Sequence, residues 1–291
     1  MTNYIENSVS IIDPAKNTVS GAVAVGNQPV GIALAPDGRS AYVTNQLSDS
    51  LSRIDTSTNQ IVATIAVGSR PSAVTVLPDG RFAYVTNQLG DTVSIVDIAQ
   101  RTVVKSIPVG DMPVGVASNP DGTRIYVANE FSNTLSVIDT ASNTVTATIS
   151  VGALPQGVAV TPDGASGYVP NAQGSNVSVI DLASNTVVAT VPVELQPEGV
   201  AIGPDGDFVY VTNESSNSVS VIDTGTNMVV ATVMVGGQPR GVAVTPDGTL
   251  VYVVNSFSNS VSVIDTQLNK VITAVVGVGQ TPTNIVIGTV R

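Results

Sequence analysis

With no histidine and no cysteine in its 291 residues, this chain has few groups that could do chemistry. Acid–base work falls to carboxylates and anion stabilisation to Arg and Lys, while thiolate nucleophiles, disulfides and thiolate metal sites are excluded. Of 22 acidic residues, 13 sit in turns that recur every 42 residues: Asp37, Asp79, Asp121, Asp163, Asp205 and Asp247, then Asp13, Asp55, Asp97, Asp139, Asp181, Asp223 and Asp265. Side-chain capping of the turn backbone accounts for these. A carboxylate repeated in most copies is architecture, so chemistry is sought where copies differ. Nine acidic residues break the pattern: Glu6, Asp49, Asp91, Asp111, Glu130, Glu194, Glu198, Asp207 and Glu214. Glu198 and Arg240 hold the same position in successive copies, and Glu194 stands where Gly26, Gly68, Gly110 and Gly152 stand. Glu194 or Glu198 as acid or base with Arg240 as anion stabiliser would suit lyase, cyclase or hydrolase chemistry, provided environment perturbs the carboxylate. Arg70, Asp111, Glu130 and Glu214, with the aromatics Tyr4, Phe131 and Phe257, extend these three into a candidate ligand-binding set. No resident cofactor is expected. A divalent cation such as calcium is the one that oxygen-only ligands would suit.

The repeat that positions these residues reads, in one copy, GVAVTPDGTLVYVVNSFSNSVSVIDT over residues 241–266. Within the period 30–71, Gly31–Ala35 is an apolar run of strand length, and Pro36-Asp37-Gly38 is a turn. Ala41–Thr44 is a second strand, and Leu51–Ile54 a third with alternating polarity. Asp55–Gln60 turns into a fourth strand, Ile61–Val67. Four short strands without helical periodicity make an antiparallel meander. Seven such copies predict an all-β, seven-bladed β-propeller occupying 1–291 as one domain. A β-solenoid is the rival, with shorter repeats and parallel strands. Met1-Thr2-Asn3 is in phase with the end of a second strand, and Thr283–Arg291 with a first strand. The two ends are therefore expected to share one composite blade that closes the ring. One extra residue, in Gly277–Pro282, shifts the register just before it. The Tyr series is expected to pack between blades, and the repeated Asn (Asn45, Asn87, Asn129, Asn171, Asn213, Asn255, with Asn3) to adopt a left-handed or bulge conformation.

Alternating strand direction sorts the turns onto two faces. The PDG and Asp-corner turns share one; the loops after the repeated Asn and the links between blades share the other. Eight of the nine leftover acids, all but Asp207, and only two of the 11 basic residues, Arg70 and Arg240, fall on this loop face. Inter-blade links surround the mouth of the central channel, and the residue after each link Pro reads Val30, Ser72, Val114, Gln156, Glu198, Arg240 and Thr283. A net charge of −11 with a strongly negative loop face attracts cations or basic partners and disfavours nucleic acid.

The words AYVTN (41–45 and 83–87) and VYVTN (209–213), each after a PDG turn and before an SVSVID-like run, resemble the YVTN family of β-propeller repeats. Tyr126-Val127-Ala128-Asn129, Tyr168-Val169-Pro170-Asn171 and Tyr252-Val253-Val254-Asn255 depart from the word. Such repeats occur in archaeal surface-layer proteins and in bacterial periplasmic or cell-surface proteins. The resemblance implies a binding or interaction scaffold. Propeller lactonases and streptogramin lyases are similar in architecture, but lean on His or on metal carboxylates.

The expected function is a non-enzymatic scaffold that binds a small or cationic ligand, or a protein partner, through the acidic loop face. Enzymatic turnover at the channel mouth is the alternative. Gly277-Val278-Gly279 lacks the third glycine of a dinucleotide fingerprint. No apolar run approaches the roughly 20 residues of a membrane span, and MTNYIENSVSIID runs straight into the repeat without a leader pattern. A monomer is expected: cytoplasmic if the chain is full length, extracellular or cell-surface if it is a processed form or an excised domain.

Overall fold

The computed structural model describes residues 1–289; Val290 and Arg291, the end of the expected closing strand, lie outside it. The chain forms seven antiparallel sheets in sequence, arranged as the blades of a β-propeller. Blade 2 is representative: inner strand Pro29–Leu34, then Ser40–Asn45 and Ser50–Asp55, then outer strand Gln60–Ala66. Blades 3 to 7 repeat it from Pro71, Pro113, Pro155, Pro197 and Pro239. The second strand is buried along its whole length, whereas the outer strand exposes most of its residues. This is what radial packing demands, because the second strand has a blade on each side and the outer strand faces water.

Blade 1 is composite, as expected. Its own strands are Thr2–Asn3, Ser8–Asp13 and Thr18–Ala24. The C-terminal stretch supplies the inner edge: Thr2 N donates to Asn284 O (2.9 Å), Thr283 N to Thr2 O (3.0 Å), and Asn3 bridges Pro282. The ring thus closes through sheet hydrogen bonds.

Cores lie between blades. One joins Tyr42, Leu51 and Ile65 of blade 2 to Val74, Val76 and Val85 of blade 3. The tyrosines reach one blade further, through their hydroxyls. Tyr84 donates to Asn143 Oδ1 (3.0 Å), Tyr168 to Asn227 Oδ1 (3.0 Å) and Tyr252 to Asn17 Oδ1 (2.6 Å).

The repeated Asn corrects the expectation made for it. It is the last residue of an extended second strand with no positive φ, and its side chain is fully buried. Its Nδ2 donates to two hydroxyls on the third strand, in blade 2 Ser50 Oγ (3.1 Å) and Ser52 Oγ (2.9 Å). A short amide can satisfy two buried hydroxyls only from inside the blade, which explains why Ser or Thr fills most of those partner positions. The left-handed residue comes four positions later, at Asn7, Asp49, Asp91, Asn133, Ser175, Asn217 and Asn259. Six of these carry Asn or Asp, the side chains that tolerate that backbone. The turn aspartates behave as expected: Asp55 Oδ1 accepts from Ser57 Oγ (2.6 Å), Thr58 N and Ser57 N, and these bonds, the Ser57 hydroxyl foremost, hold its carboxyl below the usual range. Among the described residues, no helix is long and apolar enough to cross a membrane.

Candidate functional site

Each blade begins its inner strand at the channel mouth, and the first residues of each inner strand line the channel. The first ring is Val30, Ser72, Val114, Gln156, Glu198, Arg240 and Thr283, and all seven line a cavity of about 800 Å³. The second ring is Gly31, Ala73, Gly115, Gly157, Gly199, Gly241 and Asn284. Neighbouring backbones meet so closely there that a Cβ on Gly241 would stand 2.7 Å from Asn284 Cα. Below them, Ile32, Val74, Val116, Val158, Val200 and Val242 make the cavity floor apolar.

The residue after each repeated Asn forms an upper ring, with Tyr4, Gln46, Gln88, Glu130, Ala172 and Glu214 lining the same cavity. A hydrogen-bonded chain runs along half of it. Tyr4 Oη donates to Gln28 Oε1 (2.6 Å), Gln46 Nε2 to Gln88 Oε1 (2.8 Å), and Arg70 to Gln46 Oε1 (3.4 Å).

The charged centre lies across blades 6 and 7. Arg240 donates through Nη2 to Glu214 Oε1 (3.0 Å), and its Nε stands 3.6 Å from Glu198 Oε2. The backbone fixes the guanidinium's origin, since Thr212 Oγ1 of blade 6 donates to Arg240 O (2.6 Å). Burial pushes the Glu198 carboxyl up to about 7. Arg240 opposes that shift, while Glu214 and Glu130 add to it by like-charge repulsion. Glu198, then Glu214, hold the Arg240 guanidinium above its ordinary range. Glu130, Glu198 and Glu214 thus share the mouth with one guanidinium, Glu198 being only partly ionised at neutral pH.

The remaining sequence candidates are dispersed. Glu194 does not join Glu198 and Arg240: it is exposed on the link, outside the residues that line the cavity. At the matching position Gly26 packs under Asn45, where a Cβ would lie 2.6 Å from the amide carbon, so a residue with a side chain there is turned outward. Asp111 is exposed on its link, and its backbone N accepts no solvent role, donating instead to Ser132 Oγ (2.7 Å). Phe131 and Phe257 sit outside the mouth and face solvent, at 61% and 77% exposure. Arg70 is half-buried and reaches the mouth only through Gln46.

Two of the leftover acids have a structural use. Asp49 Oδ1 accepts from Arg70 N (2.8 Å) and Asp91 Oδ1 from Met112 N (2.9 Å). Asn7, Asn133, Asn217 and Asn259 make the same brace elsewhere. Sequence reasoning missed the glutamine side of the mouth, Gln46 and Gln88; the signal was their position, in register with Tyr4, Glu130 and Glu214. Among the described residues, no three carboxylates assemble at metal-ligating spacing.

A model of YNCE-like β-propellers matches residues 1–68 and 62–167, and a model of lactonase-type seven-bladed β-propellers matches 157–274. No protein of curated function matches. Hydrazine synthase of Kuenenia stuttgartiensis superposes with a TM-score of 0.80 at 26% identity, over 88% of each chain. A functionally unknown protein from Desulfotomaculum acetoxidans DSM 771 superposes with a TM-score of 0.88 at 20% identity, over 100% of this chain and 98% of that one; this likeness is one of fold. Since the YNCE-like matches together run through residues 1–167 of 291, more than half of the chain, the protein belongs to the YNCE-like β-propellers.

Proposed function

We propose that the protein is a non-enzymatic binding propeller whose channel mouth takes a small cationic molecule bearing an ammonium or guanidinium group. The observation that carries this reading is the convergence of Glu130, Glu198 and Glu214 on one cavity with a single guanidinium among them. Gln46, Gln88 and Gln156 offer neutral amides to the rest of such a ligand, and the apolar floor suits a short alkyl chain. Isothermal titration with agmatine, putrescine and spermidine tests it, with glutarate as the anionic control. Binding of the amines, weakened at least tenfold in Glu130→Gln and in Glu198→Gln, is expected. Binding of glutarate alone, or of none of the four, would refute it. The YVTN wording of three blades supports presentation of this site on a surface-layer-like scaffold module.

A second reading is favoured by one specific coincidence. The stretch matching the lactonase-type propellers, 157–274, contains Glu198, Glu214 and Arg240. Glu198, with its carboxyl near 7, is poised to exchange a proton at neutral pH. In hydrolysis of a small lactone it would take the proton of the attacking water, while Arg240 stabilised the developing oxyanion. Turnover of a lactone panel that disappears in Glu198→Gln would replace the binding-only reading.

A further inference from the structure

The loop residue just outside the upper ring falls at the same place in every blade. In blades 7, 1, 2, 3 and 4 it is Phe257, Ile5, Leu47, Leu89 and Phe131. All five face solvent, between 57% exposed for Leu47 and 77% for Phe257. Four of the five backbones are held: Leu47 N donates to Asn27 O (3.2 Å), Leu89 N to Ser69 O (3.3 Å), Phe131 N to Asp111 O (3.3 Å) and Phe257 N to Gly237 O (3.1 Å). In blades 5 and 6 the position is Gln173 and Ser215. The apolar residues thus form a continuous arc over five neighbouring blades, and its gap lies over blades 5 and 6. Single exposed apolar residues are ordinary, but a fixed arc around a cavity marks a contact surface.

Charge selects the occupant. Carboxylates accompany the arc, with Glu6 next to Ile5, Asp49 two residues from Leu47, Asp91 two from Leu89, and Glu130 next to Phe131. Glu198 and Glu214 stand at the mouth near the gap. Two copies pressed face to face would bring these like charges together, and an anionic lipid surface would be repelled. We propose that the arc and the mouth form one docking face for a polypeptide that carries apolar side chains beside lysine or arginine, with one cationic side chain entering the channel mouth. This deepens the reading of the mouth as a cation site and rests on it; the arc is the added claim.

The probe is a fluorescein-labelled hexapeptide, Phe-Leu-Arg-Lys-Leu-Phe, followed by fluorescence anisotropy against the full chain. Its controls are Ser-Gly-Arg-Lys-Gly-Ser and Phe-Leu-Glu-Glu-Leu-Phe. The variant is the triple Leu89→Ser, Phe131→Ser, Phe257→Ser, whose fold is safeguarded by the polar residues that blades 5 and 6 already carry there. The expected result is saturable binding of the basic apolar peptide, at least tenfold weaker in the triple variant and in Glu198→Gln. Agmatine affinity should be unchanged in the triple variant. Equal binding of the polar basic peptide, binding of the acidic peptide, or no effect of the serines would overturn the arc while leaving the mouth reading intact. Loss of agmatine binding in wild type overturns the mouth and with it the proposal. Wild-type self-association in sedimentation velocity that the serines abolish would overturn it in favour of a second copy.

Discussion

Replacing Glu198 by Gln should change how stability depends on pH, and the structure sets both sign and size. In the folded chain the Glu198 carboxyl lies near 7, against an ordinary value of 4.5. A carboxyl raised on folding binds its proton more tightly in the native state. Its contribution is therefore fully present below about pH 4.5 and is lost as pH rises through 7. At 1.36 kcal/mol per pH unit, the full loss is up to about 3 kcal/mol. Gln cannot ionise, so the variant escapes it. Arg240 keeps Glu214 as a partner in the variant, which limits the opposing cost. Urea unfolding of both proteins at pH 5, 6, 7 and 8 gives the difference directly, and contributions from groups that do not interact with Glu198 cancel in it. The variant should gain on wild type by about 2 kcal/mol or more between pH 5 and 8, most steeply between about pH 5 and 6.5 and levelling off above 7. A stability difference flat to within about 0.5 kcal/mol across that window would show that Glu198 is not held against ionisation, and would remove the proton-exchange part of the lactone reading.

Three further outcomes follow from the packing. Asn213→Ala removes bonds of 3.1 and 3.0 Å to Ser218 and Ser220 and strands both buried hydroxyls, so chemical denaturation should show a loss of about 3 kcal/mol. Tyr84→Phe deletes a hydroxyl bond to Asn143 across a blade interface, and the same measurement should read about 1 kcal/mol. Gly241→Ala drives a Cβ to 2.7 Å from Asn284 Cα and 2.8 Å from Thr283 O, both backbone, and should lower Tm by several degrees; Gly21→Ala, whose Cβ meets only Ile11 Cδ1 at 3.9 Å, should not.

Much of the site's neighbourhood was legible from register alone. A period of 42 puts residues of equal phase at equal radius, so the ring from Val30 to Thr283 could be named before any coordinate was known. What register does not carry is where a side chain turns. Glu194 and Glu198 are four residues apart and both break the pattern, yet one points to solvent and the other lines the cavity. At the position matching Glu194, Gly26 packs so closely on Asn45 that a Cβ would lie 2.6 Å from its amide carbon, a contact between segments far apart in sequence. The repeated Asn misled for the same reason. Its phase is that of a strand end, where a left-handed turn is the local expectation, but burial against the third strand recruited its amide inward.

By itself the sequence determined the number of blades, the strand order within them and the composite closure, because each follows from local pattern repeated at constant spacing. Only the tertiary structure decided that Glu198, Glu214 and Arg240 meet while Glu194, Asp111, Phe131 and Phe257 do not. That grouping depends on side-chain direction and on burial in a cavity made jointly by all seven blades. No single repeat contains that cavity, so no single repeat could announce it.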